Sequence, residues 1–270
     1  MFGRRPDATR VRELSTVRRF MPFVSPHRNA SVVYFDQEVD VEAALQQLEA
    51  HNQTTGAERH VTLFHLVLVA LTRVLDERPR LNRFVAGDRL WQRDGIWISF
   101  SAKQRFEDDA SILTIKLRID PSESADTLAA RIHEVLGARR AGAADTSERE
   151  MRWALRMPSV GVRLALRALR TLDGLGLLPA AMIREDPLFA SAFVANLGSV
   201  GLDAGYHHLW EYGNIPIFCV VGRIRSGHDQ RRRVHLKFTY EEREEDGFSS
   251  DGRLDGQREM LEATARLIWA

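Results

Sequence analysis

The sequence predicts an α+β protein built around a mixed β-sheet, and three observations support this prediction. Period-two alternation of apolar and polar residues marks strands from residue 84 onward and again in the C-terminal third. Helical patterns flank these strands at both ends of the chain, which is typical of α+β or mixed-sheet domains. One segment, TLFHLVLVALTRVLDER, is apolar on nearly every helical face, as expected for a helix buried in the core.

The composition is that of an ordinary globular protein, and it excludes several functions. Thirty-eight basic and 37 acidic residues give a net charge of +1, which excludes nucleic-acid binding through overall charge. The single cysteine, Cys219, excludes an internal disulfide, and we expect it in a central strand. The sequence shows no secretory signal and no apolar run near the roughly 20 residues of a membrane span, so we expect a cytoplasmic protein.

The chain is expected to consist of an arm and one domain. Residues 1–28 are rich in arginine and carry little apolar periodicity, so we expect a basic arm laid over the surface. Residues 29–270 contain nothing that resembles a flexible linker and are predicted to form a single domain. Its first elements are a strand, SVVYFDQEVD, a helix capped by Asp40, and the apolar helix, which Thr62 caps and Pro79 ends.

The later elements are mostly strands. FVAGDRLWQR predicts a hairpin that turns at Gly87 and Asp88, followed by the strands GIWISFSAKQ and SILTIKLRI and the helix DTLAARIHEVLGARR. The C-terminal third predicts the strands ASAFVANL, IPIFCVVGRI and RVHLKFTY and a closing helix, QREMLEATARLIW.

Residues 147–186 interrupt this pattern with a basic amphipathic segment. Arginines alternate at helical spacing with leucine, valine and alanine, namely Arg156, Arg163, Arg167 and Arg170. We predict an inserted helical hairpin that packs on its own domain or across a subunit interface. The less favoured alternative is contact with a membrane surface or a partner's groove.

Few segments have the residue pattern of a known site. GLGLL and NLGSVG lack the spacing of a phosphate loop, no nucleophile elbow is present, and turn formation is the default role of Ser199. The adjacent His207 and His208 point to opposite faces if they lie on a strand, which argues against a metal site. Either histidine is a candidate base with Glu211 to orient it; the alternative is a core or interface histidine. On composition alone, YEEREEDGF is a solvated acidic turn.

Taken in order, these segments resemble the catalytic domain of the dihydrolipoamide acyltransferases, which share the fold of chloramphenicol acetyltransferase. SAFVANLGSVGLD is similar to the family's F-T-I-S-N-L-G-x-x-G segment. LKFTYEEREEDGF falls where the family carries D-H-R-x-x-D-G. The resemblance covers about residues 20–265 apart from the insertion. It implies a chloramphenicol acetyltransferase-like mixed sheet sandwiched with helices.

The resemblance also implies an assembly and a chemistry. It implies a homotrimer, or a larger assembly of trimers, with active sites in channels between subunits. Coenzyme A or acyl-CoA enters from one side, and a small thiol or hydroxyl acceptor from the other. The signature histidine acts as general base, and a serine or threonine before the N-L-G asparagine stabilises the oxyanion. No metal is implied, and no segment resembles the lipoyl domain that precedes the family's catalytic core.

The family's functional residues are only partly present. Asp246 and Gly247 keep the Asp-Gly pair and Arg243 keeps the arginine, while Asn196 and Gly198 keep the N-L-G turn. In the family, the aspartate at the position of Asp246 mainly holds the signature loop in place. The histidine position is Glu242, and the oxyanion position is Ala195.

These two changes weaken the standard mechanism. A glutamate of ordinary pKa lacks about 3 kcal/mol of proton-transfer driving force relative to histidine. Loss of an oxyanion donor costs a further ~3 kcal/mol. Together they slow the reaction by about four orders of magnitude unless other groups replace them. Ser199 is a candidate for the missing hydroxyl, and His207 or His208 for the missing base.

Two hypotheses about function follow from the sequence. The first is a stand-alone CoA-dependent acyltransferase with a divergent site. The second is a catalytically silent trimeric scaffold, or a CoA- or acyl-binding protein, that kept the fold and lost the chemistry.

Overall fold

The computed structural model describes residues 5–56, 59–103, 112–140 and 155–243. The predicted closing helix at residues 257–269, together with Asp246 and Gly247, lies outside the described residues. The assignment of residues 29–270 to one domain stays a prediction.

A six-stranded mixed sheet forms the centre of the fold. Its strands, in spatial order, are β2 (Val32–Asp40), β9 (Arg232–Glu241), β8 (Ile217–Ser226), β7 (Ala192–Asn196), β5 (Trp97–Lys103) and β6 (Ile112–Arg118). β5, β7 and β8 run parallel to one another, and the other pairs are antiparallel. The sequence-predicted strands and their mixed arrangement are therefore confirmed.

Three helices pack their apolar residues into the main core with one face of this sheet. They are α2 (Glu42–Thr54), α3 (Leu63–Glu77) and α4 (Ala125–Arg140). Ten of the fifteen residues of α3 are buried, which confirms the prediction from its all-round apolar pattern. Cys219 of β8 is fully buried in the same core, and this burial raises the pKa of its thiol.

Capping side chains position two of these helices. Thr62 and His65 form a reciprocal capping box at the start of α3, where the Thr62 amide donates to His65 Nδ1 at 3.0 Å. The predicted Asp40 cap of α2 is one residue off, because Val41 occupies the capping position. The Asp40 carboxylate still accepts the Glu42 amide hydrogen bond at 3.0 Å.

Among the described residues, an irregular segment covers the opposite face of the sheet. Residues 203–215 cross β8 and β9 there and bury Leu209 and Ile215 against Phe193 and Phe218. Asn29 holds this segment by accepting the Leu209 amide hydrogen and donating to the Leu209 carbonyl oxygen, at 3.0 and 2.8 Å. The segment contains both candidate histidines.

The N-terminal arm contains a strand and a helix that the sequence analysis did not predict. β1 (Ala8–Arg10) joins β4 (Arg89–Arg93) and β3 (Arg83–Ala86) in a three-stranded sheet, and α1 (Thr16–Val24) follows. The signal was missed because three paired residues are too short to show period-two alternation. The predicted turn between β3 and β4 is confirmed, since Gly87 and Asp88 have φ of 58° and 55°.

Two helices occupy the described part of the insertion, α5 (Ser159–Leu175) and α6 (Ala180–Glu185). α5 contains no buried residue. Its Gly174 lies against Gly87, and a Cβ on Gly87 would come within 2.1 Å of the Gly174 carbonyl oxygen. Arg5 joins the arm to α5 through an ion pair of 2.6 Å between Arg5 Nη1 and Asp173 Oδ1. No helix of the described residues is long and apolar enough to span a membrane.

Candidate active site

The turn after β7 holds the first group of predicted site residues. Ser199 donates its amide hydrogen to Asn196 Oδ1 (3.2 Å) and its hydroxyl hydrogen to the Asn196 carbonyl oxygen (2.7 Å). A Cβ on Gly198 would lie 2.4 Å from the carbonyl oxygen of Gly222, so a side chain has no room there. Ala195 presents only a methyl group. In this conformation the Ser199 hydroxyl is therefore engaged in closing the turn.

A groove of about 440 Å³ opens beside this turn. Its walls are mainly apolar side chains of α2 and α3, among them Leu45, Leu48, Leu63 and Phe64, and the Asn196–Ser199 turn forms one end. The groove can accept an apolar or extended ligand next to the Ala195 position.

The end of β9 holds the second group. Glu242 is exposed, its amide donates to the Ser31 carbonyl oxygen at 2.8 Å, and its carbonyl oxygen accepts from Arg18 Nη1 at 2.9 Å. Its neighbour Glu241 is fully buried and pairs with Arg28 (Nε to Oε2, 2.8 Å) and Arg243 (Nε to Oε1, 2.6 Å).

Glu241 is the residue that reasoning from sequence missed. Two adjacent glutamates after a strand give no sign of which one is buried. Strand alternation does not indicate it either, because the last four residues of β9, from Phe238 to Glu241, are all buried. Arg243, which keeps the arginine of the family's signature, donates to the buried carboxylate of Glu241.

The His207 imidazole lies half-buried on the sheet face opposite the main core. Its ring is stacked between Phe218 (centroids 4.1 Å apart, planes at 13°) and His208 (4.7 Å, 13°). Its Nδ1 lies 2.6 Å from the His208 carbonyl oxygen. A carbonyl oxygen can only accept, so this contact requires hydrogen on Nδ1 and leaves Nε2 of the neutral ring as the basic nitrogen.

Burial lowers the pKa of His207 below its ordinary value, with His208 adding to the decrease and the hydrogen bond to the His208 carbonyl opposing it. This lowering favours the neutral form of the imidazole. His208 is exposed. Glu211 does not orient either ring in the described contacts: its Oε1 accepts from Asn29 Nδ2 at 2.8 Å.

Sheet register shows how far apart the candidates lie within one chain. Ala195 pairs with Val220, which pairs with Lys237, and Glu242 comes five residues further along the chain, directly after β9. At ~3.3 Å per residue and ~4.8 Å per strand, Ala195 and Glu242 are about 19 Å apart. Within a single chain, the two positions where the family places its oxyanion donor and base therefore do not meet.

The histidines are also separated from the other candidates. The His207 carbonyl oxygen accepts from the Thr239 hydroxyl at 2.5 Å, three residues before Glu242, which corresponds to about 10 Å of strand. Thr239 pairs with Phe218, and the Ser199 turn lies against Gly222, about 13 Å further along β8. Within the described residues, no group of three or more His, Cys, Asp or Glu side chains could hold a metal ion.

The fold is that of chloramphenicol acetyltransferase and of the catalytic cores of the dihydrolipoamide acyltransferases. Among solved structures, a probable dihydrolipoamide acetyltransferase from Listeria monocytogenes matches with a TM-score of 0.61 at 16% identity, over 97% of this chain and 94% of that one. A catalytic core of a 2-oxoacid dehydrogenase complex from Thermoplasma acidophilum matches with a TM-score of 0.60 at 13% identity, over 97% of this chain and 98% of that one. A chloramphenicol acetyltransferase matches with a TM-score of 0.59 at 14% identity, over 97% of this chain and 99% of that one.

No family model matches the sequence, and no curated protein matches it. At these low identities the structural likeness concerns the fold, and at that level the resemblance predicted from the sequence is confirmed. Asn196, Gly198, Ser199, Glu242 and the histidines keep their predicted roles as candidates.

Proposed function

We propose that the protein is a CoA-dependent acyltransferase-like protein that transfers an acyl group between CoA and a thiol or hydroxyl acceptor. The fold shared with acyltransferases over nearly the whole chain supports the class of reaction. The observation on which the proposal mainly rests is the contact between His207 Nδ1 and the His208 carbonyl oxygen, since it leaves Nε2 as a basic nitrogen that can take over the role of the family's histidine, whose position Glu242 occupies.

The proposed assembly is a homotrimer with its site between subunits. The separation of about 19 Å between Ala195 and Glu242 supports this, because a single reacting carbonyl group can contact both positions only if they come from two copies of the chain. In such an assembly, the groove beside the Asn196–Ser199 turn would hold the acyl chain or the extended arm of CoA.

His207 is the proposed general base. Nε2 would take the proton from the acceptor thiol or hydroxyl as its sulfur or oxygen attacks the thioester carbonyl carbon. When the carbon–sulfur bond breaks, the CoA thiolate leaves and receives the proton from the imidazolium. The Nδ1–H bond to the His208 carbonyl would hold the tautomer through both steps, as the orienting group does in other imidazole bases. Ala195 supplies no donor to the oxyanion, so the reaction is expected to be slower than in enzymes that have one.

A specific observation favours a second function, a catalytically silent CoA- or acyl-binding scaffold. The methyl group of Ala195 and the carboxylate of Glu242 stand where the family has its two chemical groups, and the Ser199 hydroxyl already donates to a backbone carbonyl. Such a protein would bind CoA without turnover.

The test is thiol release from a panel of acyl-CoA donors, combined with thermal unfolding in the presence of CoA. His207→Asn is expected to lower kcat/KM by about 100-fold or more. His207→Phe, which keeps an aromatic ring against Phe218, should be equally impaired. His228→Asn is the matched control, because His228 lies exposed in the turn after β8.

The pH dependence gives a second readout. Because burial lowers the pKa of His207, the acid limb of kcat/KM should have its midpoint below pH 6.5. Turnover that survives both His207 substitutions would refute its role as base. A melting temperature raised by CoA without turnover on any donor would select the scaffold instead.

A further inference from the structure

A cavity lies between the N-terminal arm and the β3–β4 turn. It has a volume of about 640 Å³, within the range of small-molecule sites. Its lining includes six arginines, namely Arg10, Arg12, Arg18, Arg19, Arg89 and Arg243, and a single carboxylate, Asp88. This concentration of positive charge stands out in a chain whose net charge is only +1.

Most of this charge is not neutralised by the described residues. Arg243 pairs with Glu241, and Arg18 donates to the Glu242 carbonyl oxygen. The guanidinium groups of the other four, Arg10, Arg12, Arg19 and Arg89, form no ion pair among the described residues. Four unpaired cations facing one cavity repel one another, and a multiply charged anion between them removes that repulsion.

Regular structure holds three of these four arginines around the cavity. Arg10 and Arg89 lie on the paired strands β1 and β4, and the Val11 amide extends this pairing by donating to the Leu90 carbonyl oxygen at 3.0 Å. Arg19 lies in the first turns of α1, which Ser15 caps through its side chain. Planar guanidinium groups on fixed elements suit bidentate binding of phosphate oxygens.

The rest of the lining indicates what accompanies the phosphate groups. Apolar side chains form the remaining wall, from buried Leu90 and Pro22 and half-buried Val11 to the exposed ring of Phe23. Phe23 and the arginine planes are surfaces on which an aromatic base can stack. The lining therefore favours a nucleotide-like organic phosphate over a bare inorganic ion.

We infer that this arginine-lined cavity binds an organic phosphate with at least two phosphate groups and an aromatic base. Within the proposed function, on which this identification rests, the ligand is the nucleotide half of coenzyme A. The cavity also reaches Arg18 and Arg243, which contact or adjoin Glu242. A nucleotide bound there would place the rest of the CoA molecule beside the end of β9.

Calorimetric titration of the full chain tests the inference. The probes are CoA, dephospho-CoA (which lacks one phosphate), the bisphosphorylated adenosine fragment of CoA, pantetheine and ATP. CoA and its nucleotide fragment are expected to bind, dephospho-CoA more weakly, and pantetheine at least about tenfold more weakly. Affinity for CoA should fall as NaCl is raised from about 0.05 M to about 0.5 M, since added salt screens exposed charges.

Arg19→Gln/Arg89→Gln should weaken CoA binding by about tenfold or more, because it removes two of the four unpaired cations. Arg163→Gln, an exposed arginine on α5 outside the cavity, is the matched control and should leave the affinity within about twofold. Thermal unfolding confirms that each variant is folded. Arg89→Lys keeps the positive charge but loses the planar guanidinium group that can bind two phosphate oxygens at once. Its affinity for CoA should lie between those of the wild type and the double variant.

The outcomes separate this inference from the proposed function. Unchanged CoA affinity in the double variant would overturn the cavity as the site and leave acyl transfer untouched. If CoA fails to bind but ATP binds and the double variant loses it, the proposed function fails and the organic-phosphate site stands. If none of the phosphorylated probes binds, the inference is wrong.

Discussion

Glu241 is the residue whose substitution tests the structure most directly. Its carboxylate is fully buried and lies between the guanidinium groups of Arg28 and Arg243, which are also buried. Glu241→Gln keeps the shape of the side chain and removes its charge. The variant therefore leaves two buried cations without their shared counter-ion.

The expected loss of stability follows from the burial of these three charged groups. Removing one partner of a buried charge pair typically costs about 3–5 kcal/mol, because the remaining charge keeps its desolvation penalty and loses its compensation. We expect Glu241→Gln to lower the free energy of unfolding by about 3 kcal/mol or more. For a chain of this size, about 3 kcal/mol corresponds to a decrease in melting temperature of about 6–12 °C.

Urea unfolding monitored by tryptophan fluorescence measures this loss, at one fixed protein concentration because assembly would couple to stability. Glu242→Gln is the control: it makes the same substitution one residue further on, at an exposed position, and should change stability by less than about 0.5 kcal/mol. Equal effects of the two substitutions, or a loss below about 1 kcal/mol for Glu241→Gln, would refute the assignment of Glu241 as a buried counter-ion.

The same variant should disturb the segment that carries His207. Arg28 donates to the carbonyl oxygens of Trp210, Gly213 and Ile215 at 2.9, 3.2 and 2.9 Å, in addition to pairing with Glu241. Faster amide hydrogen exchange over residues 203–215 in Glu241→Gln would show that the ion cluster positions this segment. Exchange unchanged from the wild type would show that the segment is held by other contacts.

Two further predictions concern stability. Burial, with His133 as a smaller cause, lowers the pKa of His65 to about 4, so the free energy of unfolding should decrease by about 3 kcal/mol at most as the pH falls from 6.5 towards 4. In urea titrations, His65→Gln, which preserves a capping-box side chain, should lack this part of the decrease over the same pH range. An identical pH dependence of the two proteins would contradict this. Gly198→Ala should lower the free energy of unfolding by about 2 kcal/mol because its Cβ would collide with backbone. Gly205→Ala, where no atom lies within 4 Å, should change it by less than about 0.5 kcal/mol, and equal effects at the two glycines would contradict the close contact.

Most of the regular structure could be predicted from the sequence because local signals determine it. The all-round apolar pattern of α3 predicts a buried helix, and Gly87-Asp88 between alternating strands predicts the β3–β4 hairpin. The short β1 strand and helix α1 could not be predicted in the same way. β1 exists because it pairs with β4, a partner about 80 residues away, and its own three residues carry no pattern.

The candidate site, too, could be predicted from the sequence only in part. The sequence by itself determined which residue types occupy the two positions that matter in this fold, Ala195 and Glu242, because ordered motifs locate those positions along the chain. Only the tertiary structure decided that the two are about 19 Å apart, that Glu241 and not Glu242 is buried, and that the His207 ring is held in one tautomer. These properties depend on strand register and on contacts between residues distant in sequence, whereas composition and periodicity report only on neighbours along the chain.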